Sequence, residues 1–375
     1  MPHVVIAPDK FKGSLTAAEV CQTVAKGIRR FDKHTKITEL PLADGGEGTL
    51  DILTAQLGLQ TVQLTVNDPL FRPVAAYYGM GDGVAYVEMA TASGLALLTE
   101  KERNPLHTTS YGTGELMLDA IRRGATRIYL FVGGSATNDA GIGMAQALGY
   151  QFLDASGTPL SPIGQSLARV AAIRSDQFLI DLDRVEIFIV TDVDNPLYGA
   201  SGAAQVYGPQ KGADDEAVRQ LEQGLINIAE RMAAFMGRDV RHVPGTGAAG
   251  GIGAGAISLL RAQLLPGVAT IIGLCQARDT FASADLVISG EGKLDGQTLR
   301  GKVVKGVSDL CPSDVPLGVI CGTLTLNEAE LRQLGVWRAY AVKENDMTLA
   351  EALARTEERV EMLAYQMMQD FTSKT

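Results

Sequence analysis

The sequence predicts an α/β protein in which a parallel-sheet domain is interrupted by a second, inserted α/β domain with a mixed sheet. Short apolar runs recur along the chain, and several are followed by a glycine turn and the start of a helix. This pattern is typical of parallel strands that are buried on both faces. Such runs fill both ends of the chain, whereas the stretch after residue 58 alternates like antiparallel strands. The predicted domains are therefore residues 1–62 with 284–375, and residues 63–283.

The composition restricts the possible function. Hydrophobic residues make up 46% of the 375 residues and charged residues 20%, which is typical of a folded, soluble protein. The net charge is −10, so non-specific nucleic-acid binding is not expected. No apolar run reaches membrane-spanning length, and the four cysteines show no CxxC spacing. We therefore expect a cytoplasmic protein with free thiols, no nucleic-acid partner and no membrane partner.

The first strand is predicted at residues 4–7 and is followed by the polar loop PDKFKGSLT. Thr16 and Glu19 have the spacing of a capping box, so a helix is expected to begin there. The loop between this strand and this helix contains Asp9, Lys10, Lys12 and Ser14. Lysines in a glycine-containing turn can hold phosphate as point charges, and solvated surface lysines are the alternative.

A second strand, residues 37–42, leads into the turn ADGGEGT and a predicted helix at residues 49–57. The turn contains Asp44, Gly45, Gly46 and Glu47. Acidic residues at this position are compatible with a favourable interaction with the helix dipole alone. They are equally suited to binding Mg²⁺ or a hydroxyl group.

Three antiparallel strands at residues 61–66, 74–78 and 84–89 and a helix at 115–123 precede a buried run at 128–132. The turn after that run contains Gly133, Gly134, Ser135, Asn138 and Asp139. A strand, a glycine turn and a helix start form a cradle for phosphate or carboxylate, because glycine lets backbone N–H groups approach an anion. A tight βα turn with Asn or Asp as N-cap is the alternative.

A further buried run, residues 185–190, is followed by Asp192, Asp194 and Asn195. Acids just past a parallel strand are well placed for metal binding or proton transfer. Lys211 adds a basic donor before a charged helix at residues 214–236. The last strands are predicted at 284–289, with Glu291 and Lys293 following, at 316–321 and at 337–342, before a closing helix at 348–368.

Two glycine-rich stretches resemble nucleotide-binding motifs without satisfying them. Residues 245–256 contain GxGxxG, but no convincing strand precedes it and no acid follows about 20 residues later. We interpret this stretch as close helix packing or a backbone anion site. Residues 296–302 resemble GxxxxGK, but Val303 occupies the position of the Ser or Thr that binds Mg²⁺.

Nucleophilic and zinc catalysis lack their motifs, since the chain has no HExxH, no GxSxG and only four histidines. What recurs is Lys, Asp, Asn or Glu in glycine turns after strands. Phosphoryl transfer needs donors for the phosphates, carboxylates for Mg²⁺ and an acceptor near the attacking hydroxyl. These residues indicate a small-molecule kinase outside the P-loop class. A dehydrogenase and a non-catalytic sugar-acid sensor are the alternatives.

Eight stretches in chain order resemble the bacterial glycerate kinase family, type I and glycerate 2-kinase-like: APDKFKGS, PLADGGEGT, YGTGE, VGGSATNDAGIGM, TDVDNPLYG, GPQKGA, GAAGGIGAG and SGEGKLDGQT. The resemblance implies a flavodoxin-like domain with an inserted α/β domain. It also implies ATP-dependent phosphorylation of D-glycerate to 2-phosphoglycerate in glycerate and sugar-acid catabolism, with ATP and Mg²⁺ as cofactors. Ser289 stands where the family is expected to have Thr, and it keeps the hydroxyl. Formation of 3-phosphoglycerate, a non-catalytic sugar-acid binding protein and a homodimeric assembly are left open.

Residue roles follow from chemistry, because the resemblance does not assign them. Asp192 is expected to accept the proton of the attacking hydroxyl or to ligate Mg²⁺, with Asp44 or Asp194 in the complementary role. Lys12 is expected to act on the transferred phosphate, and Glu47 is a further Mg²⁺ candidate. The residues expected to bind substrate or phosphate are Lys10, Ser14, Gly45, Gly46, Gly133, Gly134, Ser135, Asn138, Asp139, Asn195, Lys211, Glu291 and Lys293. If the terminal segments share one parallel sheet, Lys12, Asp44 and Glu291 should meet at its carboxyl edge.

Overall fold

The structure is a computed structural model that describes residues 1–344 and 346–374. The chain divides into two compact units. The first, which we call the terminal unit, combines residues 1–44 with the segment from residue 267 onward. The second, which we call the inserted unit, comprises residues 45–266.

The strands of the described residues are numbered in chain order. They are β1 (His3–Pro8), β2 (Lys36–Glu39), β3 (Gln60–Asn67), β4 (Pro73–Gly81), β5 (Val84–Glu88), β6 (Arg127–Phe131), β7 (Gln151–Leu153), β8 (Ala172–Arg174), β9 (Glu186–Val190), β10 (Gln263–Leu265), β11 (Leu286–Leu294), β12 (Leu317–Leu324) and β13 (Val336–Ala341).

The α-helices are numbered in the same way. They are α1 (Ala17–Phe31), α2 (Thr49–Leu57), α3 (Ala90–Ser93), α4 (Tyr111–Arg122), α5 (Ile142–Ala147), α6 (Ala203–Tyr207), α7 (Asp215–Met236), α8 (Ala248–Leu260), α9 (Gly267–Leu274), α10 (Ala277–Ala282), α11 (Val303–Leu310), α12 (Glu328–Gln333), α13 (Leu349–Ala354) and α14 (Thr356–Lys374).

The terminal unit contains a five-stranded parallel sheet in the order β13-β12-β11-β1-β2. Counted along the chain within this unit, the order is 2-1-3-4-5, which is the flavodoxin-like order. All six residues of β1 are buried, as expected for a strand in the middle of a parallel sheet. The strand order reverses between β1 and β11, so the topological switch point lies between these two strands.

Helix α1 begins at the predicted capping box. The Thr16 hydroxyl accepts a hydrogen bond from the Glu19 backbone N–H, and the Glu19 carboxylate accepts one from the Thr16 N–H. The buried face of the helix carries Val20, Val24 and Ile28 and packs in one apolar cluster with residues of β1, β11 and α14. This local signal therefore sets where the chain turns back onto the sheet after β1.

The inserted unit contains a six-stranded sheet in the order β10-β9-β6-β5-β4-β3. Strands β3, β4 and β5 pair in antiparallel fashion, and the pairs from β5 to β10 are parallel. The sheet is therefore mixed, and the antiparallel strands expected from the alternating sequence are present. Together with the flavodoxin-like sheet of the terminal unit, this confirms the predicted fold class.

Several elements differ from the sequence-based expectation. Strand β11 continues through the GEGKL stretch, because Glu291 and Lys293 pair in register with Cys321 and Thr323 of β12. The single closing helix is replaced by α13 and α14, which Arg355 separates. Strands β7 and β8 form a small two-stranded antiparallel sheet that was not expected from the sequence.

The compact units divide at residues other than the predicted domain boundaries. Residues 45–62 lie in the inserted unit, since β3 pairs with β4, and α9 and α10 lie in the terminal unit. The predicted division at residues 62 and 284 stays a prediction. Among the described residues, no helix combines the length and apolar character that crossing a bilayer requires.

Candidate functional site

A cavity of about 350 Å³ opens at the carboxyl edge of the terminal unit's sheet. We call it the sheet-edge cavity. It is lined by Asp9, Lys10, Phe11, Lys12, Ser14, Asp44, Glu291, Gly292, Lys293, Lys302, Gly322, Thr323, Val342, Leu349, Ala352, Leu353 and Thr356. Its walls come from the ends of β1, β11 and β12, so it lies at the switch point, where open α/β sheets bind their ligands.

The loop after β1 is shaped by its backbone. The Asp9 N–H donates to the Gly290 carbonyl oxygen at 2.8 Å, and the Phe11 N–H donates to the Leu15 carbonyl oxygen at 2.8 Å. Gly13 has a φ of +80°, a conformation that glycine adopts without strain. The Phe11 side chain packs in the apolar core and also lines the cavity beside the polar residues of this loop.

Two carboxyl groups of the cavity are buried, and their pKa values are raised. Burial and the nearby charge of Asp44 raise the pKa of Asp9 from 3.8 to about 7, against the opposing effects of Lys10 and Lys302. Burial, with a smaller effect of Asp9, raises the pKa of Glu291 from 4.5 to about 7. Both groups are therefore poised to change charge near neutral pH.

Glu291 has one satisfied and one unsatisfied oxygen. The Thr298 hydroxyl donates to Oε1, whereas Oε2 is buried without a hydrogen-bond partner in the protein. The residue as a whole is only 3% exposed. An orphaned carboxylate oxygen at a cavity wall is a position that a ligand donor or a cation satisfies.

The lysines that line the cavity differ in whether they form ion pairs. Lys293 is paired with Asp295 at 2.9 Å and is largely exposed. Within residues 1–344 and 346–374, the ammonium groups of Lys12 and Lys302 form no ion pair. The Lys302 charge nevertheless lowers the pKa of both Asp9 and Glu291, so this lysine lies close to both carboxyl groups.

The opposite wall of the cavity is apolar. We call it the apolar wall and define it as Val342, Leu349, Ala352 and Leu353. Leu349 is 60% exposed and Leu353 is 40% exposed, although both are large hydrophobic residues. A cavity with one charged side and one apolar side resembles small-molecule sites, which combine an apolar lining with a few polar groups.

In the inserted unit, Lys211 supports the glycine turn that follows β6. Its Nζ donates to the Ser135 hydroxyl at 2.8 Å and to the Thr137 carbonyl oxygen at 2.6 Å. The residue is only 3% exposed. Burial lowers the pKa of Lys211 from 10.5 to about 7, with the charge of Asp139 acting in the opposite direction.

The carboxylate of Asp139 accepts hydrogen bonds at the start of helix α5. Its oxygens accept from the Ser110 N–H and hydroxyl, both at 2.7 Å, and from the N–H groups of Gly141 and Gly143 at 3.1 and 3.3 Å. Burial raises the pKa of this group, and these hydrogen bonds oppose the rise. The carboxylate of Asp139 therefore accepts N–H groups at the start of α5, whereas the N-cap residue of this helix is Gly141.

The two residues before Asp139 have unsatisfied side chains. The Thr137 hydroxyl and both ends of the Asn138 amide are buried without a hydrogen-bond partner in the protein. Beside them, a Cβ on Gly133 would lie 2.5 Å from the Gly46 Cα, so the turns at residues 45–46 and 133–134 are in close contact. The predicted ligand contacts of both turns stay predictions.

The loop after β9 is exposed at its acidic positions. Asp192 and Asp194 are exposed, whereas the Asn195 side chain donates to the Ser201 carbonyl oxygen and accepts from the Tyr207 hydroxyl, both at 2.7 Å. Within the described residues, no cluster of three or more His, Cys, Asp or Glu side chains could hold a metal ion by itself. The Mg²⁺ roles of Asp192, Asp194 and Glu47 therefore stay predictions.

The GxGxxG stretch is explained by close packing. A Cβ on Gly250 would lie 2.1 Å from the Thr137 carbonyl oxygen, and a Cβ on Gly255 would lie 2.2 Å from the Ala140 carbonyl oxygen. The Ala140 N–H donates to the Gly250 carbonyl oxygen at 3.0 Å. Helix α8 therefore approaches the 137–141 turn at a distance that only glycine permits.

Six of the predicted site residues line the sheet-edge cavity: Lys10, Lys12, Ser14, Asp44, Glu291 and Lys293. The others belong to the inserted unit: Gly45, Gly46, Glu47, Gly133, Gly134, Ser135, Asn138, Asp139, Asp192, Asp194, Asn195 and Lys211. Sequence reasoning placed Asp9 in the loop after β1 without giving it a role, and it missed Thr298 and Lys302. The imperfect GxxxxGK motif, which ends on Lys302, was the signal for the last of these.

Comparison with known proteins defines the class of enzyme to which the chain belongs. The profile of a kinase family matches residues 4–372, so this chain is an enzyme that transfers phosphoryl groups. The family is the Glycerate kinase family, and the chain belongs to it. This confirms the resemblance drawn from the sequence motifs.

Individual relatives agree with this assignment. The chain is 40% identical over 367 residues to "Glycerate kinase" of Halalkalibacterium halodurans, covering 97% of both chains. It is 40% identical over 352 residues to "Glycerate 2-kinase" of Escherichia coli, covering 93% of this chain and 92% of the relative. A crystal structure from Salmonella typhimurium LT2 named as a glycerate kinase 2 superposes with a TM-score of 0.87 at 38% identity, covering 100% of this chain and 99% of the other.

Proposed function

We propose that this enzyme transfers the γ-phosphoryl group of ATP to D-glycerate and forms 2-phosphoglycerate, in the catabolism of glycerate and sugar acids. The observation that carries the proposal is the sheet-edge cavity at the switch point, which Lys12 and Lys302 line together with the buried carboxyl groups of Asp9 and Glu291. Phosphoryl transfer depends mainly on positioning and on electrostatic stabilisation, and such a cavity supplies both. The names of the relatives from H. halodurans and E. coli support the substrate.

The reaction requires a proton acceptor. As the glycerate hydroxyl oxygen bonds to the γ-phosphorus, the bond from that phosphorus to the ADP oxygen breaks and the hydroxyl proton moves to a carboxylate. Asp9 suits this step, because a base with a pKa near the working pH transfers protons most effectively. Asp192 is retained as the alternative acceptor, since it follows the end of β9 and is exposed.

The cavity also fits a divalent cation. The charge of Asp44 raises the pKa of Asp9, and the charge of Asp9 raises that of Glu291, so added positive charge relieves a repulsion among acids. The orphaned Glu291 Oε2 is an available oxygen ligand. Glu291 would hold Mg²⁺ together with phosphate oxygens and water, which usually complete its coordination, and this leaves Asp9 as the proton acceptor. When bound, Mg²⁺ neutralises charge on the phosphates.

A direct assay tests the proposal. ADP release should require both ATP and D-glycerate, and NMR of the product should show phosphate on the 2-hydroxyl. Phosphate on the 3-hydroxyl would overturn the proposed product alone. Binding of D-glycerate without ADP release would instead identify a sugar-acid binding protein. We propose that the reaction takes place in the cytoplasm, because the four widely spaced cysteines are expected to be free thiols.

A further inference from the structure

We propose that the sheet-edge cavity is the nucleotide site, with the base of the nucleotide against the apolar wall and its phosphates at Lys12 and Lys302. The choice of ATP as the nucleotide rests on the proposed function. The location of the site rests on the residues described below.

The order of the strands separates the two sides of the cavity. The apolar wall follows β13, the strand at one edge of the sheet, because Val342 comes directly after it and α13 comes next along the chain. The charged side lies at β11 and β1, two and three strands away. Three steps of about 4.8 Å between strands separate the sides by about 14 Å, which suits an elongated ligand.

The ligand must have an apolar part. Leu349 and Leu353 project into the cavity from a short helix, α13, that is held by its own capping box of Thr348 and Glu351. Leaving large side chains 60% and 40% exposed forgoes the free energy of burying them, and a flat aromatic base would recover part of it. D-glycerate consists of hydroxyl and carboxylate groups on a three-carbon chain, so it does not account for this wall.

The ligand must also be anionic. Lys12 and Lys302 reach the cavity from different segments and form no ion pair among the described residues, although the protein as a whole is net acidic. The loop that carries Lys12 packs closely on β11, because a Cβ on Gly292 would lie 3.2 Å from the Lys12 backbone nitrogen. Phosphates are the groups that lysines at a glycine turn bind as point charges.

Between the two sides lies a small middle section. Gly322 and Thr323, at the end of β12, line the cavity there, and β12 is the strand between the apolar edge and β11. A Cβ on Gly322 would lie 2.4 Å from the Gly292 carbonyl oxygen, so no larger residue fits. Because Gly322 contributes only backbone to the cavity wall, the ribose of a nucleotide that spans from the apolar wall to the lysines would lie against this section.

The test measures binding of ADP to the full chain by calorimetry, without glycerate. Leu349→Ser and Leu353→Ser should each weaken ADP binding about fivefold or more, as loss of a buried leucine contact does. Both should leave binding of inorganic tripolyphosphate within about twofold, because it has no base. Lys12→Ala and Lys302→Ala should weaken both ligands, and more strongly at low salt.

Matched controls come from the same unit. Met362→Ser changes a 45% exposed hydrophobic residue outside the cavity, and Lys33→Ala removes an exposed lysine, so neither should alter ADP binding. A thermal melt of each variant confirms that it is folded. The inference is overturned if the wild type does not bind ADP or if both leucine variants keep the wild-type affinity for ADP. It is also overturned if those variants lose affinity for tripolyphosphate as much as for ADP.

These outcomes are separable from those of the proposed function. ADP binding that depends on the apolar wall, without phosphorylation of glycerate, would support the nucleotide site and refute the reaction. Glycerate phosphorylation in which the leucine variants raise KM for glycerate and leave KM for ATP unchanged would support the reaction and refute the site.

Discussion

The Nζ atom of Lys211 lies 2.8 Å from the hydroxyl oxygen of Ser135, inside the inserted unit and nearly out of reach of solvent. A second hydrogen bond from Nζ to the Thr137 carbonyl oxygen joins the segment before α7 to the turn after β6. From the sequence, Lys211 was expected to bind substrate or phosphate. The described contacts show a lysine that holds the glycine turn, and any contact with a ligand stays a prediction.

The stability of the protein should depend on the protonation of Lys211. Its pKa is lowered from 10.5 to about 7 in the folded state, so the unfolded chain binds more protons between these values. The free energy of unfolding should therefore rise with pH from about 7 to about 10. Relative to Lys211→Met, the free energy of unfolding of the wild type should rise by up to about 1.4 kcal/mol per pH unit. Urea unfolding at pH 7, 8 and 9 measures this difference. Parallel pH profiles for the two proteins would contradict the buried titration.

Activity should depend on the protonation of Asp9. If its carboxylate accepts the hydroxyl proton, kcat/KM should rise as the pH passes through about 7, because the base must be deprotonated. Asp9→Asn should lower kcat/KM and remove this limb of the pH profile, while keeping the oxygen that accepts the Lys10 N–H. Asp314→Asn, at an exposed acid of the same unit outside the cavity, is the control. A fall in activity with an unchanged profile would assign Asp9 a different role.

Asp192→Asn tests the acceptor expected from the sequence. The change keeps the shape of an exposed side chain and removes its charge, so a near-native melting temperature is expected. Loss of a general base should lower kcat by about 100-fold or more. Asp176→Asn, at another exposed acid of the inserted unit, should have no effect. Activity within about threefold of wild type corresponds to less than about 1 kcal/mol and would exclude the role.

Close packing of α8 should make Gly250 intolerant of a side chain. Its φ is +71°, and a Cβ would meet the Thr137 carbonyl oxygen at 2.1 Å. Gly250→Ala should lower the free energy of unfolding by about 3 kcal/mol or more, the sum of overpacking and backbone strain. Gly237→Ala has a similar φ of +67° but no atom within 4 Å, so about 1 to 2 kcal/mol is expected there. Equal losses in the two variants would show that the packing contact contributes nothing.

The elements whose signals are local could be predicted from the amino-acid sequence alone. The capping box of Thr16 and Glu19 placed the start of α1, and alternation after residue 58 marked the antiparallel strands. Fully apolar runs identified strands of the parallel sheets, because such strands are buried on both faces. Eight motifs in order were enough to indicate the family, which the profile match over residues 4–372 then confirmed.

The surroundings of each polar residue, by contrast, depend on how distant segments pack together. Lys12, Asp44 and Glu291 meet in one cavity because β1, β2 and β11 are neighbours in a sheet, although nearly 250 residues separate Asp44 from Glu291. Lys302, which the sequence presented as part of a failed motif, reaches the same cavity, and the leucines of α13 form its apolar wall. Lys211 and Asp139 had the residue types of ligand contacts, yet both are buried among protein hydrogen-bond partners. Residue type and spacing specify local backbone geometry, whereas burial and the direction of a side chain depend on segments that are distant in the chain, and these also set the pKa values.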